Sequence, residues 1–197
     1  ISNPRDFEGF AKEISRFNFN LFTGVNTMFA SLMHTPSFDK IDFSHQRVCI
    51  GGGMAVQPAV AKEWKQKTGR TILQGYGLTE TSPVAICCAI DSDFTGTIGL
   101  PVPSTDVMIV GDDGNDLPLG EVGEICIKGP QVMEGYWQRP KDTAEVMLPG
   151  GWLRTGDVGR MDEEGYVWIE DRKKDMILVS GFNVYPNEIE NVVVELD

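Results

Sequence analysis

Residues 72–81 read ILQGYGLTET, a short apolar strand that runs into a glycine-broken loop. Ile72 and Leu73 open the strand. Gln74 and Gly75 lead to Tyr76, and Gly77 separates that ring from Thr79 and Glu80. An aromatic ring, a hydroxyl and a carboxylate within one short run suit three parts of magnesium ATP. The ring stacks on adenine, the hydroxyl donates to a phosphate oxygen, and the carboxylate holds a hard cation through oxygen. Gly75 and Gly77 remove side chains where a nucleotide must approach the backbone. A tight turn leading into a strand is the plainer reading of the same run, and a short motif alone does not decide between the two.

Upstream of this run, strand and helix patterns alternate. Phe7, Phe10, Ile14 and Phe17 recur at helical spacing after Pro4. Phe19 and Leu21 alternate with Asn18 and Asn20, which reads as a short strand. Met28, Phe29, Leu32 and Met33 mark a second helix face. Residues 48–50 are an apolar strand ended by Gly51-Gly52-Gly53, and Pro58 to Gly69 brackets a third helix. That alternation argues for a parallel α/β sheet with helices. Ligands of such sheets bind at the carboxyl edge of the strands, where the glycine turn with Gly52 falls. No Lys-Ser or Lys-Thr follows it, so it is not a P-loop.

The pattern changes near residue 92. Residues 107–110 and 124–128 are β-rich, separated by the GDDGND turn at 111–116, and residues 166–169 follow a DEEG turn. Short strands, acidic glycine turns and little helix indicate a small antiparallel β-barrel or sheet. The charged string DRKKD at 171–175 interrupts it, and Pro186 looks like a helix start. The division that follows is an α/β lobe over 1–91, a β-barrel subdomain over 92–170, and a linker opening a further domain over 171–197.

Composition narrows the function. The chain of 197 residues carries a formal net charge of −12, which disfavours nucleic-acid phosphates and offers no polybasic membrane anchor. The apolar run VAICCAI at 84–90 is far too short to cross a bilayer. Cys49, Cys87, Cys88 and Cys126 form no C-x-x-C pair and have no clustered histidine. Cys49, Cys87 and Cys126 fall in expected strands, so buried free thiols in a reducing compartment are expected. His34 and His45 have no partner pattern.

Further blocks add to the QGYGLTET run: GWLRTG at 151–156 followed by Asp157, then GYVWIEDRKKDMILVSGFNVYPNE at 165–188. In this order the chain resembles the adenylate-forming superfamily of acyl-CoA synthetases, luciferases and peptide-synthetase adenylation domains. Residues 151–191 look most like its bacterial long-chain fatty-acyl-CoA synthetase branch. The resemblance runs from the Gly51-Gly52-Gly53 turn to the end of the chain. It implies a large domain ending in a β-barrel, then a small mobile C-terminal α+β domain.

The same resemblance implies roles. Tyr76 packs on adenine, beside Gln74, Gly75 and the Gly52 loop. Thr79 contacts the α-phosphate and Glu80 binds Mg²⁺. Asp157 accepts from the ribose hydroxyls, and Arg172 reaches ribose or phosphate. Lys174 is the hinge of the small domain, and Gly181 lies in the loop beside the pantetheine of coenzyme A. Substrates are then fatty acid, ATP and CoA. The plainer readings are a half-buried strand aromatic for Tyr76 and a solvated carboxylate for Glu80. For Asp157 the plainer reading is a turn-stabilising aspartate, and for Arg172 and Lys174 a solvated charge run.

The family's phosphate loop is expected to precede Ile1, and its C-terminal lysine to follow Asp197. The chain by itself is therefore expected to make no acyl-adenylate. The expected location is the cytoplasm, with peripheral contact of the full-length enzyme at the inner membrane face left open, as is the oligomeric state. Two alternatives stand beside this reading: another adenylate-forming branch (aryl-CoA ligase, luciferase-like enzyme or peptide-synthetase adenylation domain), and a non-catalytic nucleotide-binding module.

Overall fold

The computed structural model describes residues 3, 5–172, 175, 177–179, 182–184, 186, 189 and 193. The chain divides into two compact units. The first comprises residues 1–75 and 88–96, and the second residues 76–87 and 97–197.

In the first unit, helix α1 (Phe7–Ile14) starts at Asp6, whose carboxylate accepts from the Gly9 N–H at 2.8 Å. This satisfies a donor that the helix itself leaves unpaired. The helix ends earlier than its apolar spacing suggests. Ser15 caps it, and Phe17, read as part of its inner face, is 63% exposed. Strand β1 (Leu21–Gly24) lies further along than the Asn/Phe alternation indicates, while α2 (Asn26–Met33) and β2 (Val48–Gly51) follow their patterns. Helix α3 (Pro58–Thr68) has Pro58 in its first turn. It ends on Gly69 in the left-handed conformation, φ 71°, which glycine adopts without strain. Strand β3 (Leu73–Tyr76) enters the second unit at its last residue. Strands β1 and β2 pair in parallel with Leu21 opposite Val48, and β2 and β3 with Ile50 opposite Leu73.

Trp64 of α3 is fully buried and organises the core of this unit. It stacks on Phe22 at 5.7 Å and meets Phe29 edge-on at 4.9 Å and Phe43 at 5.4 Å. Such offset and edge contacts add to the area term of burial. Burial also pushes the Cys49 thiol up to about 12, so it stays protonated near neutral pH. No disulfide joins any of the four cysteines.

The second unit is β-rich. Strands β4 (Ile86–Cys87) and β5 (Leu100–Pro101) pair antiparallel. They are followed by β6 (Asp106–Val110), β7 (Gly123–Lys128), helix α4 (Pro140–Val146), β8 (Met147–Leu148), β9 (Trp152–Met161) and β10 (Val167–Arg172). The antiparallel sheet runs β10-β9-β7-β6, with β8 on β9. A bridge from Gly99 to Val167 carries the curl on toward β5, which makes a half-barrel. Its core holds Ile86, Ile98, Ile109, Ile125, Ile127 and Val167.

Two elements of this unit do not show in the apolar pattern. One is α4. The other is β9, whose ten residues contain the WLRTGD block. Asp157 therefore lies inside a strand, not at a chain reversal. Strand β10 also continues through Asp171 and Arg172, so the charged string does not interrupt the sheet before them. A short antiparallel pair, β11 (Ile177–Val179) with β12 (Phe182–Val184), follows. Most of the helix expected from Pro186 lies outside the described residues.

Replacing Trp64 by Ala in the full-length protein is expected to cost about 3–5 kcal/mol of stability, measured by urea unfolding followed by circular dichroism. A loss below about 1 kcal/mol would show that the aromatic cluster does not organise this unit.

Candidate functional site

Gly52, Gln74 and Gly75 belong to the first unit, and Tyr76, Gly77, Thr79, Glu80, Asp157 and Arg172 to the second. In the first, Gly52 follows β2 where an added Cβ would stand 3.0 Å from the Gly75 carbonyl oxygen of β3, so a side chain at 52 would need that backbone to give by a few tenths of an ångström. Gln74 is buried. Its Oε1 accepts from the Val56 N–H at 3.1 Å and its Nε2 donates to the Gly96 carbonyl at 3.0 Å. The Gln74 side chain thus ties the loop after β2 to the segment before residue 97.

In the second unit, Tyr76 and Asp157 come together. The Tyr76 hydroxyl donates to Asp157 Oδ2 at 2.6 Å. Tyr76 is only 9% exposed and packs with Ala85 and Ile86, so little of its ring surface is open. Burial and then the Asp157 carboxylate raise its pKa, which keeps the phenol protonated and donating. Asp157 is 6% exposed, and its other oxygen, Oδ1, lies 3.4 Å from Arg172 Nε. Arg172 is the cross-strand partner of Asp157 and its side chain is 56% exposed. A buried carboxylate is held here by a neutral donor on one side and a half-solvated guanidinium on the other.

Gly77 is fixed by its own loop. A Cβ there would stand 1.7 Å from the Pro83 carbonyl oxygen, so no side chain fits. Thr79 and Glu80 begin a 3₁₀ turn, with Thr79 exposed and Glu80 half-buried. Glu80 is anchored at two points. Its Oε1 accepts from the Tyr136 hydroxyl at 2.7 Å, and its carbonyl accepts from the Met133 N–H at 2.8 Å. That hydrogen bond is the main reason the Tyr136 pKa is raised. A cavity of about 350 Å³ is lined by Glu80, Tyr136, Glu124, Arg154, Thr155 and Gly156, among others. Tyr136, Glu124 and Arg154 were not legible as site residues from sequence, because a tyrosine in a loop and charged residues in strands carry no spacing signal. Lys174 and Gly181 lie outside the described residues.

Among the described residues no group of three or more acidic, histidine or cysteine side chains is placed to hold a metal ion. A site with fewer carboxylates leaves a cation's other positions to ligand oxygens and water, which is how Mg²⁺ commonly binds beside phosphates. Among the described residues no helix is long and apolar enough to cross a membrane.

Comparison with known proteins gives a family. Residues 2–137 match the family described as AMP-binding enzyme. The chain is 58% identical over 194 residues to a long-chain-fatty-acid–CoA ligase of Yersinia pestis, covering 98% of the chain and 34% of that protein. The chain thus spans about a third of the length of that relative. Among solved structures it resembles ATP-bound MatB from Rhodopseudomonas palustris, at 33% identity and TM-score 0.88, over 98% of this chain and 38% of that one. It also resembles the anthranilate CoA ligase AuaEII in complex with anthranoyl-AMP, at 29% identity and TM-score 0.90, over 98% of this chain and 37% of that one.

In the full-length protein, Tyr76→Phe leaves the buried Asp157 carboxylate without its 2.6 Å donor. Urea unfolding should show a loss of about 1.5–3 kcal/mol, the usual range for a hydrogen bond to a charged group. A change within about 0.5 kcal/mol would mean that the bond carries no stability.

Proposed function

We propose a function from the premise that the chain belongs to the AMP-binding enzyme family: it carries part of the nucleotide site of an ATP-dependent long-chain fatty-acyl-CoA ligase. One observation carries the reading. Tyr76 of the YGLTE run and Asp157 of the RTGD run, 81 residues apart in sequence, meet at 2.6 Å beside Arg172. The acyl class is taken from the 58%-identical relative.

In the reaction, the fatty-acid carboxylate attacks the α-phosphorus of ATP. The bond from that phosphorus to the bridging oxygen breaks, and acyl-AMP and pyrophosphate form. The thiol of CoA then attacks the acyl carbon, loses its proton to solvent, and displaces AMP to give the thioester. The carboxylate is already ionised near neutral pH, so the first step needs no general base.

The residues take these parts. Asp157 accepts from the ribose hydroxyls, an arrangement that a carboxylate also serves in dinucleotide folds. Arg172 balances its charge and reaches ribose or phosphate. Tyr76 borders adenine, and the resemblance gives Gln74, Gly75 and the Gly52 loop the same part. Thr79 donates to the α-phosphate from its exposed position. Glu80, oriented by Tyr136, would hold Mg²⁺, which when bound neutralises phosphate charge. Lys174 as hinge and Gly181 beside pantetheine rest on the resemblance alone. The proposed location is the cytoplasm, with peripheral contact at the inner membrane face where long-chain acids partition.

Pyrophosphate exchange by the full-length protein tests the function. Exchange driven by palmitate and not by aromatic or amino acids is expected. The likeness to an anthranilate CoA ligase supports an aryl acid as the second reading, and exchange driven by benzoate-type acids would select it.

Asp157→Ala is expected to raise the KM for ATP about ten-fold or more with a smaller change in kcat, because ribose contacts are made equally in ground and transition states. An unchanged KM removes Asp157 from that role. Glu80→Ala is expected to lower kcat about 100-fold with the fold intact by circular dichroism. Parental kcat at saturating Mg²⁺ would contradict it. Lys174→Pro should spare acyl-AMP formation more than thioester formation in rapid-quench assays, since proline fixes φ at a residue that must rotate. Equal losses in both half-reactions would remove the hinge role.

A further inference from the structure

The strand that carries Asp157 is irregular at the point where Asp157 sits. On β7 and β9, Glu124 pairs with Val158, while Cys126 pairs with Arg154. Between those pairs a single residue, Ile125, faces Thr155, Gly156 and Asp157. This is a bulge with extra backbone on β9, and bulges re-aim the side chains they carry. Gly156 takes the left-handed conformation there, φ 75°.

A bulge leaves backbone donors without ladder partners, and buried donors must be met somewhere. Here side chains meet them. The Gly156 N–H donates to Glu124 Oε1 at 3.1 Å. The Asp157 N–H donates to Thr155 Oγ1 at 3.1 Å, and the Thr155 hydroxyl donates in turn to the Ile125 carbonyl at 2.8 Å. Glu124 is itself buried, at 5% exposure, and its Oε2 accepts from Arg154 Nε at 3.1 Å and Nη2 at 2.5 Å. A buried carboxylate that both caps the bulge and pairs with an arginine is costly to bury without these partners. Its neighbours therefore fix where it stands.

We propose that Glu124, braced by Arg154, and Thr155 are positioning residues that hold the 155–157 bulge so that the Asp157 carboxylate is presented to the nucleotide ribose. The proposal rests on the ribose reading of Asp157. It assigns Glu124 and Thr155 no contact with the reacting atoms. Their effect reaches the nucleotide through the backbone N–H groups of Gly156 and Asp157 and, for Thr155, through its side-chain contact with Tyr76, the donor to Asp157.

Isothermal titration of the full-length protein with MgATP and with 2′,3′-dideoxy-ATP, without fatty acid, tests it. The dideoxy nucleotide lacks both hydroxyls that Asp157 would bind. The parent protein is expected to prefer ATP by about ten-fold or more, as expected of a hydrogen bond to a charged group. Glu124→Ala and Thr155→Val should each reduce that preference to about two-fold or less, while Glu124→Gln, which keeps an acceptor for the Gly156 N–H, should retain most of it. Folded protein is verified by circular dichroism, and Thr155→Val decides if Glu124→Ala does not fold. A merely structural role lowers the melting temperature and leaves the ATP preference intact, and that result would overturn the proposal. Asp157→Ala is the control arm. If it keeps the full ATP preference, the ribose reading falls and the positioning role falls with it. If it loses the preference while Glu124→Ala and Thr155→Val keep it, the positioning role alone is wrong.

Discussion

The hydrogen bond from the Tyr76 hydroxyl to Asp157 is the constraint on which the second unit's site depends. Asp157 is nearly buried, and an ionised carboxylate away from water needs donors around it. Tyr76 supplies one donor from the end of β3, and Arg172 supplies positive charge from the neighbouring strand β10. The phenol donates without ever becoming an anion near neutral pH, because burial and the carboxylate itself raise its pKa. Tyr76 and Asp157, 81 residues apart in sequence, come from strands of different sheets, and this bond joins them.

The sheet that carries β9 solves a geometric problem. A regular strand alternates its side chains, and its backbone groups are consumed by its neighbours. The bulge at 155–157 breaks both rules at one place. Its backbone donors go to the side chains of Glu124 and Thr155, and Gly156 provides the left-handed backbone that a residue with a Cβ adopts only with strain. The chain as a whole is strongly acidic at −12, yet around Asp157 and Glu124 the sheet places Arg172 and Arg154. Net charge describes the surface. The pairing of individual carboxylates with guanidiniums sets the local field.

Sequence showed the first unit well where strong local signals coincide. Pro58 and Gly69 bracket α3 correctly, since ring-fixed φ and a left-handed cap act locally. The inner face of α2 is legible for the same reason: its periodicity is continuous. Phe17 misled because its spacing extends the helical pattern past Ser15, where the helix is already capped. Strand β9 was hidden because Gly156, Asp157 and Gly159 break the alternation that marks a strand. Its regularity is restored by side-chain hydrogen bonds to another strand, which no local pattern records. Tyr76 was singled out in sequence, but its bond to Asp157 was not legible, because it depends on a partner 81 residues away. Glu124 opens the β-rich run at 124–128, which carries no mark of its burial. Its burial follows from cover on both faces of β7.

A crystal structure of the full-length protein with MgATP tests the central claim most directly. The account predicts both ribose hydroxyls within about 3 Å of the Asp157 carboxylate, the usual hydrogen-bond range, with the Tyr76–Asp157 bond and the 155–157 bulge preserved. A nucleotide bound with its ribose away from Asp157 would contradict it.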